Sequence, residues 1–331
     1  MPPHAIQVVD IVKRFGNFTA VDGVSFAVEE GEIFGLLGPN GAGKSTLIRM
    51  MTTLIEITSG TAIIEGADVR KDPNRARRSI GVIPQAMTSD GDLTVWENLS
   101  IYSKLYGIPA ADREKSIDEL LTLVDLNQWR DAPARNLSGG MRRRLEIARG
   151  LVHRPRIFFL DEPTTGLDPV SRVAVWEMIT SIKQKRNLTV LITTHYMDEA
   201  DRLCDRIAIV DHGKLVALDT PRNLKNSIPG SSVIEAQFLK PPADWQQTLQ
   251  NLAGVKSVQP EGADMYRILT EDGSRTTTAL VETAVHSNVV VKTLTVQSTT
   301  LDDVFVHFTG RQLRDQMVDS PLYTSPVAWG K

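Results

Sequence analysis

The chain has 331 residues, a length that favours two domains over one. Hydrophobic residues make up 41% and charged residues 23%, which suits a globular protein with a core and excludes a disordered or collagen-like chain. The net charge of −3 provides no general basic field, so nucleic acid is not the expected partner.

Cysteine content and hydropathy indicate a reducing compartment and no membrane span. The single cysteine, Cys204, excludes an internal disulfide framework, and we expect it to be a small buried core residue. No apolar run approaches the roughly 20 residues that cross a bilayer. Residues 1–4 have neither the basic nor the apolar stretch of a signal peptide. We therefore expect any membrane role to involve a separate partner.

Residues 1–225 predict an α/β domain, because short apolar runs alternate with helical patterns. Two runs, Ile6–Val12 and Val24–Val28, predict a smaller antiparallel layer. Residues from about 90 to 140 predict a helical subdomain, since they show helical periodicity and no convincing strand. Five continuous apolar runs predict parallel strands that are buried on both faces: Ile33–Leu37, Ile80–Ile83, Ile157–Leu160, Val190–Thr193 and Ile207–Val210.

Pro229 and Gly230 mark a break, after which residues 231–311 predict a small α+β domain. Its pattern is β-α-β-β-α-β, the order of the ferredoxin-like split arrangement. A helix over 301–308 follows, and residues 312–331 are expected to form a loose tail. The predicted strands are Ser232–Leu239, Val255–Gln259, Met265–Thr270 and Val289–Val296.

A phosphate-binding loop follows the strand Ile33–Leu37. The complete pattern G-x-x-x-x-G-K-[ST] is formed by Gly38, Pro39, Asn40, Gly41, Ala42, Gly43, Lys44 and Ser45. A helix opens at Thr46, and its N-terminus together with the loop amides would hold the phosphates of ATP. Lys44 would reach the β- and γ-phosphates, and Ser45 would hold Mg²⁺. The alternative, an ordinary Gly-rich turn, is disfavoured by the full motif in this context.

Two carboxylates, Asp161 and Glu162, directly follow the apolar strand Ile157–Leu160. Uncompensated charge at the end of a buried strand is costly, and Mg²⁺ with ATP would supply the positive partner. Asp161 is then the carboxylate that contacts the metal, directly or through water, and Glu162 is the candidate general base. A solvated Asp-Glu-Pro turn is the alternative, disfavoured by the phosphate loop.

Polar side chains at two further strand ends complete a predicted site. Gln85 follows Ile80–Ile83 and His195 follows Val190–Thr193. Ligands of such sheets bind at the carboxyl ends of the strands, so we expect these groups to converge. Gln85 would contact both Mg²⁺ and the attacking water, and His195 would donate to the γ-phosphate or orient Glu162. A lone histidine is more often structural, but the shared edge favours the site.

These residues resemble the nucleotide-binding domains of ABC transporters over roughly residues 5–225. Leu137-Ser138-Gly139-Gly140-Met141 is similar to the LSGGQ signature of the family, although a serine N-cap is the alternative for Ser138. The segment that ends at Asp168 matches the D-loop of the family. Phe15 matches the aromatic position that stacks on adenine, with Phe18 as a rival and a core role as the alternative. The resemblance implies a P-loop NTPase fold.

In that family, the signature of one subunit caps the nucleotide on the phosphate loop of another. Ser138, Gly139 and Gly140 would therefore act across an interface, in a homodimer or with a paired ABC domain, around two ATP molecules. Met141 departs from the usual glutamine, which puts contacts near the ribose in doubt. The run Arg142-Arg143-Arg144 is interpreted as a solvated helix surface rather than a phosphate contact.

The segment Thr300–Phe305, with Phe308–Arg311, is similar to the tail of daunorubicin-type ATP-binding subunits of ABC-2-like exporters. This implies a separate multi-span permease, peripheral attachment at the cytoplasmic face of the cell membrane, and efflux of a drug, lipid or polysaccharide. A soluble ABC ATPase acting on nucleic acid or ribosomes is the rival, though such proteins usually carry a coiled-coil insertion or two ATPase domains. A third hypothesis, an ATP-gated scaffold, is disfavoured by the intact Glu162 and His195.

Overall fold

A computed structural model describes residues 4–228, 232–262 and 264–310. The described residues form two compact units, which divide between Thr220 and Pro221. The predicted break at Pro229-Gly230, Arg311 and the predicted tail over 312–331 lie outside the described residues.

The first unit holds ten strands and seven α-helices within the described residues. Its elements in chain order are β1 (His4–Phe15), β2 (Phe18–Glu29), β3 (Ile33–Leu37), α1 (Lys44–Met51), β4 (Ser59–Ile64), β5 (Ala67–Asp68), α2 (Pro73–Ser79), β6 (Ile80–Ile83), α3 (Val95–Leu105), α4 (Ala110–Leu123), α5 (Gly139–Gly150), β7 (Ile157–Asp161), α6 (Pro169–Arg186), β8 (Thr189–Thr194), α7 (Met197–Leu203), β9 (Arg206–Asp211) and β10 (Lys214–Asp219).

A six-stranded sheet in the order β10-β9-β3-β8-β7-β6 forms the centre of this unit. Strands β9 to β6 are parallel, and only the β10–β9 pair is antiparallel. Every residue of β3, β7 and β8 is buried, as expected for strands covered on both faces. The five predicted parallel strands are confirmed. Strand β10 was not predicted, although it contains the apolar run 215–218, and none of its residues is buried.

The antiparallel layer has the order β2-β1-β4-β5 and packs on the central sheet. Its first two strands confirm the prediction, whereas β4 and β5 were missed. The rings of Phe26 and Phe34 stack with centroids 5.1 Å apart, which joins the two sheets. Ile6, Ile64 and Leu47 of α1 fill the same core, so the helix after the phosphate loop is anchored between the sheets.

The segment between β6 and β7 is helical, as predicted, and contains α3, α4 and α5, with the 3₁₀ turns Asn127–Trp129 and Ala134–Asn136 between α4 and α5. Thr94 and Glu97 form a reciprocal capping box at the start of α3. Cys204, at the end of α7, is buried as predicted. No helix in the described part of the chain is long and apolar enough to cross a bilayer.

The second unit contains α8 (Pro221–Asn226), β11 (Ser232–Leu239), α9 (Trp245–Gln250), β12 (Val255–Pro260), β13 (Met265–Thr270), α10 (Gly273–His286), β14 (Val290–Ser298) and α11 (Leu301–Thr309). Its sheet is fully antiparallel in the order β12-β13-β11-β14, which is the ferredoxin-like arrangement. Phe238, Trp245 and Ile268 lie in its core. The unit therefore buries its own apolar face.

Candidate functional site

The phosphate loop is pressed against neighbouring backbone at two glycines. A Cβ atom at Gly38 would lie 2.1 Å from the carbonyl oxygen of Val210, so no larger residue fits there. Gly43 has a φ of 103°, and a Cβ atom there would lie 2.6 Å from the carbonyl oxygen of Ala20. The loop therefore enters α1 along a path that only these glycines allow.

The other loop residues lie between β3 and the first turn of α1. Pro39 and Ala42 are buried, Asn40 and Gly41 are exposed, and Thr46 is half-buried in the first turn of the helix. The N-terminus of α1 leaves backbone N–H groups without partners inside the helix and carries a partial positive charge. A loop of this shape suits a bound anion such as a phosphate group.

Lys44 extends back over its own loop. Its Nζ donates hydrogen bonds to the carbonyl oxygens of Gly38 at 2.8 Å and Pro39 at 3.0 Å. The same atom lies 3.5 Å from Oε1 of Glu162. Burial lowers the pKa of Lys44, and the Glu162 carboxylate partly offsets that effect. A cation is thus placed between the loop and the acidic end of β7.

Ser45 and Asp161 are in direct contact. The Ser45 hydroxyl donates to Oδ1 of Asp161 at 3.0 Å, and the Thr193 hydroxyl donates to the same oxygen at 2.6 Å. Asp161 is the last residue of β7, and Thr193 lies beside it on β8. A hydroxyl and a carboxylate are hard oxygen donors of the kind that bind Mg²⁺. The donor chemistry at this point therefore fits that ion.

Glu162 has a strained backbone and a crowded carboxylate. Its φ of 46° is left-handed, a conformation that costs a non-glycine residue roughly 1–2 kcal/mol. Its N–H donates to the Thr193 carbonyl and hydroxyl oxygens at 3.1 and 3.0 Å. Oε2 accepts from Gln85 Nε2 at 3.3 Å and from the Thr165 hydroxyl at 3.0 Å, and lies 3.1 Å from His195 Nδ1. Three chain segments thus meet at one buried carboxylate.

The charge of Glu162 is strongly stabilised. Burial raises its pKa, but the contact with His195 and the charge of Lys44 outweigh burial and lower the pKa from 4.5 to about 2. Glu162 is consequently ionised at neutral pH. We call Lys44, Ser45, Asp161, Glu162 and His195 the phosphate-loop cluster.

Gln85 lies beside the phosphate-loop cluster and, like His195, contacts the Glu162 carboxylate, as the strand-end pattern predicted. Gln85 is exposed, while His195 is half-buried, with its ring 4.2 Å from that of Tyr196. Arg172 lies over the Tyr196 ring at 4.2 Å. His195 is therefore held between an aromatic ring and the carboxylate.

A second group lies at two helix N-termini. Ser138 caps α5, because its hydroxyl accepts from the N–H of Met141 at 3.3 Å. Asp168 caps α6 in the same way, accepting from the N–H of Ser171 at 3.0 Å. Both side chains are exposed. The alternative N-cap role of Ser138 is thus realised here, and it leaves the hydroxyl at the surface.

These two helix ends lie side by side. A Cβ atom at Gly140 would lie 2.7 Å from the Ser171 hydroxyl, so only glycine allows this approach. A Cβ atom at Gly139 would lie 3.6 Å from the Leu167 side chain. The structure therefore brings the predicted signature and D-loop together, with Ser138, Gly139 and Asp168 exposed and Gly140 buried. We call Ser138, Gly139, Gly140 and Asp168 the signature surface.

The two aromatic candidates for adenine stacking end the β1–β2 hairpin and are paired in register. Phe15 is 50% exposed and Phe18 is 63% exposed, so neither is a core residue and the core alternative for Phe15 is wrong. Lys13 Nζ lies 4.9 Å from the centroid of the Phe15 ring. Both rings therefore lie at the surface of the unit.

The interpretation of the arginine run as solvated surface is wrong for Arg143. Arg142 and Arg144 are half-buried, and Arg144 pairs with the exposed Asp125 at 3.1 Å. Arg143 is only 1% exposed and donates to backbone carbonyl oxygens. Helical spacing explains the difference, because Arg143 shares a buried face with Gly140 and Ile147.

Sequence reasoning also missed two threonines. Thr193 bonds both acidic residues at the end of β7, and Thr165 bonds the Glu162 carboxylate. A signal existed for Thr193, since a polar residue at the carboxyl end of an apolar strand belongs to the same edge as Gln85 and His195. Thr165 lies in the turn after Pro163, where the sequence gives no comparable signal.

Comparison with known proteins shows the family to which this chain belongs. The family model described as "ABC transporter" matches residues 21–165. The Nod factor export ATP-binding protein I of Ralstonia nicotianae is 40% identical over 94% of this chain and 95% of its own. The chain belongs to the ABC transporter ATP-binding family. It is an ABC-type ATPase that binds nucleotide.

Other relatives match the ABC ATPase over nearly its whole length. The daunorubicin/doxorubicin resistance ATP-binding protein DrrA of Streptomyces peucetius is 38% identical over 99% of each chain. The linearmycin resistance ATP-binding protein LnrL of Bacillus subtilis is 35% identical over 94% of this chain and all of its own. Similarity therefore extends into the second unit.

Solved structures resemble the ATPase. The structure of cbiO1 from Clostridium perfringens, part of the ABC transporter complex cbiONQ, has a TM-score of 0.63 at 25% identity, covering 68% of this chain and 91% of cbiO1. A dimeric post-hydrolysis state of the ATP-binding cassette MJ0796 with ADP and Pi has a TM-score of 0.59 at 25% identity, covering 65% and 98%. The P-loop NTPase fold is confirmed.

Proposed function

We propose that this ABC ATPase is the motor subunit of an exporter, pairing with a second copy around two ATP molecules and driving a separate permease. The observation that carries the proposal is the coexistence of a complete phosphate-loop cluster and an intact signature surface on one chain. Relatives named for Nod factor export and for drug resistance support the export direction. They favour a drug, lipid or polysaccharide as cargo.

The loop residues hold the phosphates of ATP in this proposal. Backbone N–H groups between Asn40 and Thr46 surround the β-phosphate, and Lys44 pairs with the β- and γ-phosphates. Ser45, Asp161 and Gln85 would hold Mg²⁺, which would neutralise charge on the phosphate oxygens. The direct contact of Ser45 with Asp161 supports this assignment.

Hydrolysis centres on Glu162. Water forms a bond to the γ-phosphorus, the bond from that phosphorus to the β–γ bridging oxygen breaks, and the water proton passes through Glu162 to the released phosphate. A pKa of about 2 makes Glu162 a weak acceptor before ATP binds. Phosphate oxygens then compete for Lys44 and add negative charge, which raises that pKa and strengthens the base. His195 orients the carboxylate or donates to the γ-phosphate.

The remaining predicted residues contact nucleotide from two directions. Phe15 stacks on adenine in its own chain. Ser138 and the N–H groups of Gly139 and Gly140 meet the γ-phosphate bound by the partner, at the N-terminus of α5. Asp168 lies beside these residues and helps to hold them in position for the contact with the γ-phosphate bound by the partner. Neither group alone surrounds the nucleotide, so the dimer completes each site.

We place the protein at the cytoplasmic face of the cell membrane, attached through its permease, with no nucleic acid partner. The test is copurification of the tagged full chain from detergent-solubilised membranes. A multi-span membrane protein should copurify in a defined ratio, and the chain should be released from washed membranes when that protein is deleted. Recovery of the chain with ribosomes or DNA, and none with membranes, would favour the rival soluble ATPase.

A further inference from the structure

Arg143 is a fully buried guanidinium whose hydrogen bonds go to backbone carbonyl oxygens. Nη1 donates to Pro84 at 2.8 Å, and Nη2 donates to Asp161 at 3.2 Å and Glu162 at 3.0 Å. Nε donates to Pro163. Burial lowers the pKa of Arg143, and the negative charges of Glu146 and Asp161 partly offset that effect. The rigid, planar guanidinium group of an arginine can hydrogen-bond two chain segments at once in this way, whereas the compact ammonium group of a lysine cannot.

The carbonyls that Arg143 binds belong to two functional segments. Pro84 immediately precedes Gln85, and Asp161 to Pro163 contain the proposed base. Glu162 has a left-handed backbone, which persists only where the surroundings determine it. Its N–H is held by Thr193, and its carbonyl is held by Arg143. Arg143 therefore fixes the far side of the strained peptide.

The same helix also holds the segment after Gln85. Glu146, one turn beyond Arg143, accepts from the N–H and hydroxyl of Thr88 at 2.7 and 2.8 Å. Arg149 donates to Glu146 at 2.8 Å and to the Thr88 hydroxyl at 3.0 Å. Helix α5 thus contacts the chain on both sides of Gln85, at Pro84 before it and at Thr88 after it. Because α5 begins at the signature surface, one rigid element joins that surface to both segments.

We propose that Arg143 is a positioning residue, which holds Glu162 and Gln85 at fixed positions relative to the signature surface of the same chain. The inference rests on the roles proposed above for Glu162 and Gln85. It concerns turnover rather than ATP binding, because the residue contacts the backbone behind the carboxylate and does not touch the phosphate loop. Displacement of a catalytic group by about 1 Å can cost about 100-fold in rate.

The test compares R143M, R143K and R144M in the purified full chain with Mg²⁺ and ATP. ATP affinity and the number of binding sites are measured by equilibrium titration, and turnover is expressed per ATP-binding site. We expect R143M to lower kcat about 100-fold while KM and ATP affinity change less than about threefold. R143K keeps the charge but not the planar guanidinium group, and should lose about tenfold in kcat. R144M should match wild type, since Arg144 pairs with exposed Asp125.

Two outcomes would overturn the proposal: turnover per site within twofold of wild type in R143K, or a loss of ATP affinity that accounts for the loss of rate. If R143M fails to fold, R143K decides alone. E162Q, measured alongside, separates this inference from the proposed function. Wild-type turnover in E162Q would remove the base assignment, whereas loss in E162Q with normal turnover in R143K would remove only the role of Arg143.

Discussion

The phosphate-loop cluster and the signature surface differ in how their polar groups are satisfied. In the cluster, side chains from distant segments meet in a buried network, and Lys44 lies between its own loop carbonyls and Glu162. The signature surface is exposed except at Gly140 and consists of two capped helix N-termini. The first is a charged site with its own counter-ion, and the second is a pair of helix N-termini, which carry a partial positive charge. The difference suggests that one chain carries two unlike halves of an ATP site.

The largest expected effect comes from a substitution of Glu162 in the phosphate-loop cluster. E162Q should lower turnover about 1,000-fold, because an amide accepts protons poorly and carries no charge to orient water. ATP affinity should change little, since the loop and Lys44 remain. Steady-state phosphate release and equilibrium ATP titration measure the two quantities. E119Q is the matched control, as Glu119 pairs with Arg154 at the surface. Wild-type turnover in E162Q would show that the cluster is not the hydrolytic half.

A smaller effect is expected at the adenine-stacking position, which lies outside both the phosphate-loop cluster and the signature surface. F15A should weaken ATP binding about tenfold by loss of base stacking, while F15Y should bind like wild type. The change should appear in KM and Kd for ATP, with kcat nearly unchanged. F18A is the control on the neighbouring position of the same hairpin. A tenfold loss in F18A with none in F15A would transfer the stacking role to Phe18.

The smallest effect concerns stability and pH. The pKa of Glu162 is lower in the folded chain, about 2, than its ordinary value of 4.5, so its ionisation stabilises the fold by roughly 3 kcal/mol above pH 4.5. That stabilisation is lost as pH falls from 4.5 towards 2. Urea unfolding of wild type and E162Q should therefore give a smaller difference in unfolding free energy at pH 3.5 than at pH 5.5. An equal difference at the two pH values would contradict this pKa.

Local pattern was enough to predict the parts of the site that depend on local chemistry. The phosphate loop is a continuous motif, and the strand ends at Gln85, Asp161 and His195 follow from apolar runs that stop at polar residues. The common edge then required only the general rule for parallel sheets. The ferredoxin-like order of the second unit likewise followed from the alternation of strands and helices between Ser232 and Ser298.

Long-range geometry could not be predicted from these patterns. Ile33 pairs with Val190 across most of the unit, and nothing local specifies that register. The left-handed backbone of Glu162 depends on Thr193 and Arg143 together, which lie on separate elements. Arg143 was misjudged because three consecutive arginines resemble a solvated surface, whereas helical phase places the middle one inward.

The most direct test of the two-halves account mixes two inactive variants of the full chain. K44A removes the loop cation, and S138R blocks the signature surface with a bulky side chain. In a mixed dimer, the intact loop of the S138R chain faces the intact signature of the K44A chain. The account predicts that each variant alone is inactive and that the mixture recovers ATP turnover. Full turnover of S138R alone, or no recovery on mixing, would contradict a site shared between two chains.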